Sequence, residues 1–193
     1  MTEKISPLRR ILRRPDLGGW ASRPRCTGLL YSWLKEQRSL SARIAAACPT
    51  QQPFKLNLLF NGNARPTRDE APLVGANPGE CVRVREVQLC AGSTPLVFAH
   101  SVALPRHLRG PWRIMSRLGG GVLGSVLFAD PAIKRGALAY CILDRRHPLY
   151  RRMEQCYGTL PRQLWARRAL FHRLGKPLLV TEVFLPALLE LAS

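Results

Sequence analysis

The chain has 193 residues, and its 30 Lys and Arg against 12 Asp and Glu give a formal charge of +18. At roughly 150 residues per domain this length predicts a single domain, and a hydrophobic content of 46% excludes a wholly disordered chain. No apolar stretch reaches the ~18 uncharged residues of a membrane-spanning helix, so we expect a globular cytoplasmic protein.

The high positive charge suggests a nucleic-acid partner, because phosphate-binding surfaces are rich in Lys and Arg. The basic residues come as scattered pairs, however, and the chain has no ribonucleoprotein motif and no zinc-finger spacing. We therefore expect no nucleic-acid partner and no metal. Composition alone leaves two interpretations open, a site for a multiply anionic small molecule and an arginine-rich composition without a binding role.

The N-terminus is strongly basic, with seven Lys and Arg against Glu3 and Asp16 in the first 26 residues. An organellar presequence or a twin-arginine signal is one interpretation, but no apolar segment follows. We expect residues 1–26 to form a flexible basic tail and residues 27–193 to form the folded domain.

In chain order, the apolar spacing after Thr27 predicts a first helix capped by that residue. Ser39 or Ser41 begins a second short helix, which ends near Pro49. Residues 54–61 alternate as a strand, with one face formed by Phe54, Leu56, Leu58 and Phe60.

Residues 62–79 are polar and predict a loop or a poorly marked strand region. Residues 81–90 and 96–104 then form a hairpin around a Gly-Ser turn. A helix begins at Pro111 and ends at the glycines 119–121.

The apolar residues 122–128 predict one more helix, and the aliphatic residues 137–143 predict a strand. Residues 165–172 and 178–185 flank Gly-Lys-Pro and form a second hairpin. Since hairpins dominate and there is no βαβ rhythm, the fold class is α+β, a single domain with an antiparallel sheet of about six strands.

Two charges lie inside apolar strands. Arg85 shares a strand face with Val87 and Leu89, and Glu182 lies among the aliphatic residues of 178–185. An isolated buried charge costs several kcal/mol, so each must be paired or bind a ligand. A structural Arg–Glu pair is one interpretation. In the other, Arg85 binds a substrate carboxylate and Glu182 meets a ligand hydroxyl, with a perturbed carboxyl pKa.

Nucleophilic hydrolysis has no support, because Gly-x-Ser-x-Gly is absent from the chain. The histidines are isolated from one another, and we expect structural or exposed roles for His100, His107, His147 and His172.

Three blocks, in order along the chain, resemble the chorismate pyruvate-lyase family. They are residues 84–90 (VREVQLC), residues 118–119 with 123–128 (LG and LGSVLF), and residues 175–186 (GKPLLVTEVFLP). Weaker similarity runs from about residue 27 to residue 186. Both anomalous charges, Arg85 and Glu182, fall inside the blocks.

The resemblance implies an antiparallel sheet of six strands whose helical flaps enclose an internal ligand site. It also implies conversion of chorismate to 4-hydroxybenzoate and pyruvate, the first step of ubiquinone biosynthesis, without a cofactor. The alternative from another class is a non-catalytic domain of the same fold that senses a small aromatic acid.

The same resemblance implies site residues. Arg85 and Glu182 would bind substrate and carry catalysis, and Leu123 would supply a backbone contact. Leu40 stands where the family has a methionine that contacts the ligand, and His100 stands where it has an arginine.

For partners, we expect the small molecules chorismate and 4-hydroxybenzoate, and a monomeric protein. Two explanations of the +18 charge stay open, namely steering of a dianionic substrate and contact with a membrane surface or a pathway enzyme.

Overall fold

The computed structural model describes residues 19–191. Its centre is an antiparallel sheet of seven strands, which confirms the α+β class. The strands run in the order β1-β2-β3-β7-β6-β4, and β5 also pairs with β6. Their bounds are β1 Phe54–Ala64, β2 Val82–Ala91, β3 Thr94–Ala103, β4 Ile133–Arg135, β5 Ala139–Leu143, β6 Leu164–Arg173 and β7 Lys176–Phe184.

The helices are short; the first two precede the sheet in the chain and the other four lie between its strands. They are α1 Gly28–Leu34, α2 Leu40–Ala47, α3 Ala71–Val74, α4 Arg113–Arg117, α5 Leu123–Ala129 and α6 Pro148–Tyr157, with 3₁₀ turns at Pro105–His107 and Pro186–Glu190. Thr27 precedes α1, but its side chain makes no capping hydrogen bond. Ser39 does cap α2, because its hydroxyl accepts from the Ala42 N–H at 3.3 Å.

A bulge in β1 corrects one prediction. The pairing of β1 with β2 shifts register between Leu58 and Phe60. Since a shift of one residue moves a side chain to the other face of the sheet, Phe60 does not share the face of Leu56. It packs instead with Val84 on the opposite face.

The two faces of the sheet are covered by different helices. On the front face, residues of α1, α2 and α5 pack against the sheet. On the reverse face, α3 and α6 supply the apolar cover. Helices α3 and α6 and strand β4 have no counterpart among the predicted elements.

The N-terminal region lies only partly within the described residues. Residues 1–18 of the expected tail are outside them. From residue 19 onward the chain is attached to the domain, since Trp20 is buried and Ala21 pairs with Tyr140. Among residues 19–191, no helix is long and apolar enough to cross a membrane.

Candidate active site

A cavity lies between the front face of the sheet and helices α2 and α5. The cavity has a volume of about 60 Å³, several times the ~10–15 Å³ that one water needs on the same measure. The four residues predicted for the site, Leu40, Arg85, Leu123 and Glu182, all line it. The lining is mostly aliphatic and includes Leu40, Leu56, Val87, Leu89, Leu123, Leu127, Leu138 and Val180.

Arg85 lies on β2 and points into this cavity region with 1% of its surface exposed. Its Nη2 donates to the carbonyl oxygens of Gly119 at 3.0 Å and Gly121 at 2.6 Å. Its buried Nε–H has no hydrogen-bond partner. Burial lowers the pKa of Arg85, which is the mark of a cation held without a counter-charge. The guanidinium therefore has a donor free for a ligand.

Glu182 lies on β7 and is paired with a different arginine. Its Oε2 accepts from Arg167 Nε at 2.6 Å. Arg167, on β6, is itself fixed, because its Nη1 donates to three backbone carbonyls, those of Trp33, Leu34 and Glu36. No carboxylate of residues 19–191 forms an ion pair with Arg85. The Arg85–Glu182 pair that the sequence left open does not form.

A third arginine, Arg135 at the end of β4, also lines the cavity. Its Nη2 donates to Gln37 Oε1. Burial first, and the charge of Arg167 next, lower the pKa of Arg135. Neither Arg135 nor Arg167 was among the residues predicted for the site. Alternation along β6 could have found Arg167, which shares the cavity face with Ala169 and Phe171.

The charges of the cavity do not balance. Its walls contain three arginines and one carboxylate, a formal charge of +2. Charges held among aliphatic side chains interact more strongly than in water, because solvent screens them less. A ligand with two negative charges would complete this set.

Helices α2 and α5 close over the sheet at one tight contact. A Cβ placed on Gly124 would lie 2.7 Å from Ser41 Oγ, too close for any ordinary contact. The Ser41 hydroxyl is in turn 2.9 Å from that of Ser39. Glycine at position 124 therefore allows α5 to approach α2, which places Leu123 and Leu40 on the same cavity.

His100 lies on the reverse face and not in the cavity. Its Nδ1 is 3.2 Å from Glu86 Oε1 and its Nε2 is 3.2 Å from Glu70 Oε1. Burial opposes its charge, but the two carboxylates outweigh burial and raise the pKa of His100 to about 9. Arg152 bonds the other oxygen of Glu86 at 3.0 Å.

The remaining histidines are also away from the cavity. His107 is buried, His147 accepts from the Leu149 N–H at 3.2 Å at the start of α6, and His172 is half-buried. Within the described part of the chain, no group of His, Cys, Asp or Glu is arranged to hold a metal ion.

Fold and cavity together define an α+β protein with a positively charged cavity on one face of an antiparallel sheet. The sequence model of the chorismate lyase family matches residues 25–192. The chain belongs to this family of carbon–oxygen lyases, as the resemblance predicted.

Two relatives agree with that placement, and one solved structure shares the fold. A "probable chorismate pyruvate-lyase" of Aromatoleum aromaticum is 46% identical over 186 residues, covering 93% of this chain and 98% of that protein. One of the same description from Nitrosospira multiformis is 43% identical, covering 88% and 91%. The crystal structure of the PhnF C-terminal domain superposes with a TM-score of 0.52 at 15% identity, covering 70% of this chain and 84% of that one. That likeness concerns the fold alone.

Proposed function

We propose that the protein converts chorismate to 4-hydroxybenzoate and pyruvate in the front-face cavity, as the first step of ubiquinone biosynthesis. The observation that carries the proposal is the cavity's formal charge of +2 among aliphatic walls. Chorismate has two carboxylates on a compact, largely apolar frame. Its charge and its surface are complementary to this site.

Arg85 binds one carboxylate of the substrate. Its Nη2 is occupied by the glycine carbonyls, whereas its buried Nε–H has no partner. A guanidinium N–H suits a carboxylate oxygen, because the hydrogen bond between them is charge-assisted. Arg135 is the second cation of the cavity that no carboxylate neutralises within hydrogen-bond distance among residues 19–191, and it binds the other carboxylate.

Glu182 hydrogen-bonds the C4 hydroxyl of the substrate. Arg167 engages its Oε2 at 2.6 Å and holds the carboxylate in one orientation. Because Arg167 is tied to three backbone carbonyls of α1 and the residues after it, this orientation is built into the fold before the substrate arrives. Such preorganisation lowers the cost of aligning the reacting groups.

The reaction is an elimination that makes the ring aromatic. The ether bond between ring C3 and the enolpyruvyl oxygen breaks, and the electron pair leaves with that oxygen. The hydrogen on C4 is lost, its bonding pair becomes part of the aromatic ring, and a proton reaches the methylene carbon of enolpyruvate to give pyruvate. Aromatisation supplies much of the driving force, so the elimination needs no cofactor or metal.

Leu40 and Leu123 exclude water from the reacting ether. Both are buried cavity residues, exposed by 2% and 6%. A leucine at position 40 keeps the apolar bulk of the methionine that the family has there. With little water present, the arginine charges strongly stabilise the negative charge that develops on the leaving enolpyruvyl oxygen.

The decisive experiment mixes the purified chain with chorismate in the presence of EDTA and follows both products. Equal amounts of 4-hydroxybenzoate and pyruvate are expected. Binding of 4-hydroxybenzoate without turnover would instead identify a non-catalytic aromatic-acid sensor of this fold. If the chain neither binds 4-hydroxybenzoate nor turns over chorismate, the proposal is overturned.

Two variants separate the proposed roles. Arg135→Gln removes one carboxylate contact and should raise KM by about tenfold to a hundredfold, the effect of losing one charge-assisted hydrogen bond. Glu182→Gln keeps the size of the side chain and should lower kcat more than it raises KM. Arg151→Gln, at an exposed arginine of α6 outside the cavity, is the matched control and should leave both constants unchanged.

A further inference from the structure

The tip of the β6–β7 hairpin carries an unusual residue. Arg173 pairs with Lys176, so Leu174 and Gly175 form a two-residue turn. Both have positive φ, 49° and 71°, the geometry of the hairpin turn that favours Asn-Gly. Within residues 19–191, Leu174 is the one non-glycine residue with positive φ.

A leucine at position 174 does not stabilise the folded domain. A branched side chain in the left-handed region is strained by roughly 1–2 kcal/mol. Its side chain also recovers little by burial, because Leu174 is 78% exposed. A backbone strain that burial of the side chain does not offset is a reason to infer a function for this residue.

The surroundings of the tip are strongly basic. A depression beside the hairpin is lined by Arg173 and by three exposed arginines on and just before α4. Two hydrogen bonds hold that segment against the hairpin: Trp112 Nε1 donates to Lys176 O at 2.9 Å, and Arg173 Nη1 donates to Pro111 O at 3.2 Å. We call the assembly the hairpin patch; it consists of Leu174, Arg109, Arg113, Arg117, Arg173 and Lys176.

The charge of the hairpin patch is barely compensated. Asp130, 3.1 Å from Arg173 Nε, is the carboxylate of the depression. Five cations therefore face one anion.

We propose that the hairpin patch docks the protein on a membrane surface that contains anionic lipids. The arginines and Lys176 contact the headgroups, and Leu174 inserts at the boundary between headgroups and acyl chains. An exposed apolar side chain next to a cluster of basic residues is the combination that such a surface binds. Nucleic acid fits less well, since the patch has no aromatic side chain on which a base could stack.

Docking is independent of the lyase reaction, because the hairpin patch shares no residue with the cavity. The test is sedimentation of the full-length chain with vesicles of pure phosphatidylcholine and with vesicles containing about a quarter of phosphatidylglycerol. We expect binding to the anionic vesicles alone, and release at high salt because the attraction is screened.

Three variants locate the binding. Leu174→Asn suits the turn and should weaken vesicle binding by about tenfold, the effect of losing one partly buried leucine. Arg109→Gln with Arg113→Gln should weaken it by about twentyfold to thirtyfold. The matched control, Arg68→Gln with Arg151→Gln, removes two exposed arginines outside the patch and should change binding less than twofold.

Each other outcome overturns the proposal. If the patch variants bind like the unaltered chain, the basic residues outside the patch carry the attraction. If the arginine variant weakens binding but Leu174→Asn does not, the patch binds phosphate groups without insertion into a membrane. Circular dichroism and turnover of soluble chorismate verify that each variant is folded.

Discussion

Replacing Arg85 by methionine should separate ligand binding from stability. The side chain is 1% exposed and bonds only backbone carbonyls among the described residues. Arg85→Met loses those two hydrogen bonds, which contribute roughly 3 kcal/mol together. It also removes a buried cation whose desolvation costs several kcal/mol. The loop at Gly119 is exposed, so water can replace the lost donors, and the net change in unfolding free energy should be within about 1 kcal/mol.

Binding should respond very differently. A carboxylate held by Arg85 gains about 3 kcal/mol from charge-assisted hydrogen bonds. The affinity for 4-hydroxybenzoate should therefore fall by about a hundredfold in Arg85→Met. Calorimetric titration measures this affinity, and urea unfolding followed by tryptophan fluorescence measures the stability of the same preparation.

Arg168 is the matched control, because it is buried to a similar degree, at 3% exposure, but on the reverse face. It is paired with Asp69 at 2.7 Å. Arg168→Met leaves that carboxylate buried without its cation and should lower the unfolding free energy by about 3–5 kcal/mol, with little change in the affinity for 4-hydroxybenzoate. If the methionine variant does not fold, Arg168→Lys, which keeps the charge, takes its place. A loss of stability in Arg85→Met as large as in Arg168→Met, with affinity retained, would refute the assignment of Arg85 to a ligand.

Two further predictions concern His100 on the reverse face and the contact between helices α2 and α5. Burial works against the His100 cation, but Glu70 and Glu86 raise its pKa to about 9, whereas the pKa of histidine in the unfolded chain is about 6.5. The stability that the cation contributes is therefore complete below pH 6.5 and is lost as the pH rises through 9. Unfolding free energy should fall by ~3 kcal/mol over that window, and a His100→Gln protein that shows the same slope would contradict this. Gly124→Ala places a Cβ 2.7 Å from Ser41 Oγ and should weaken ligand binding by displacing α5. Adding Ser41→Ala should restore part of the affinity, measured by isothermal titration. If the affinity is not restored, this contact does not position α5 over the cavity.

Alternation along the strands predicted the sheet face on which two charged cavity residues lie. Arg85 lies on the face of Val87 and Leu89, and Glu182 on the face of Val180, as the period of two requires. These positions follow from local backbone geometry, which one strand fixes by itself. The partner of Glu182 does not, because it depends on which strand lies beside β7, and β6 brings Arg167 to register with Glu182.

The missed elements have weak or contradictory local signals. Strand β4 has three residues, too few for any periodicity, so Arg135 could not be placed. Phe60 was placed on the wrong face because a bulge leaves no mark on an apolar run. Helix α6 did have a signal, since Pro148 stands at its first position, but its polar sequence hides the apolar stripe of Leu149, Tyr150 and Met153.

The two faces of one sheet show why the buried charges differ in meaning. On the reverse face the cations Arg152, Arg168 and protonated His100 meet three carboxylates, so that set is neutral and its members stabilise the fold: Asp69, Glu70 and Glu86. On the front face three arginines meet Glu182 alone. A buried charge that serves only the structure needs a partner of opposite sign on either face. The front face has two positive charges without such partners, and a dianionic ligand would restore there the neutrality that the reverse face achieves with its own side chains. This is why we propose that a dianion binds in the cavity.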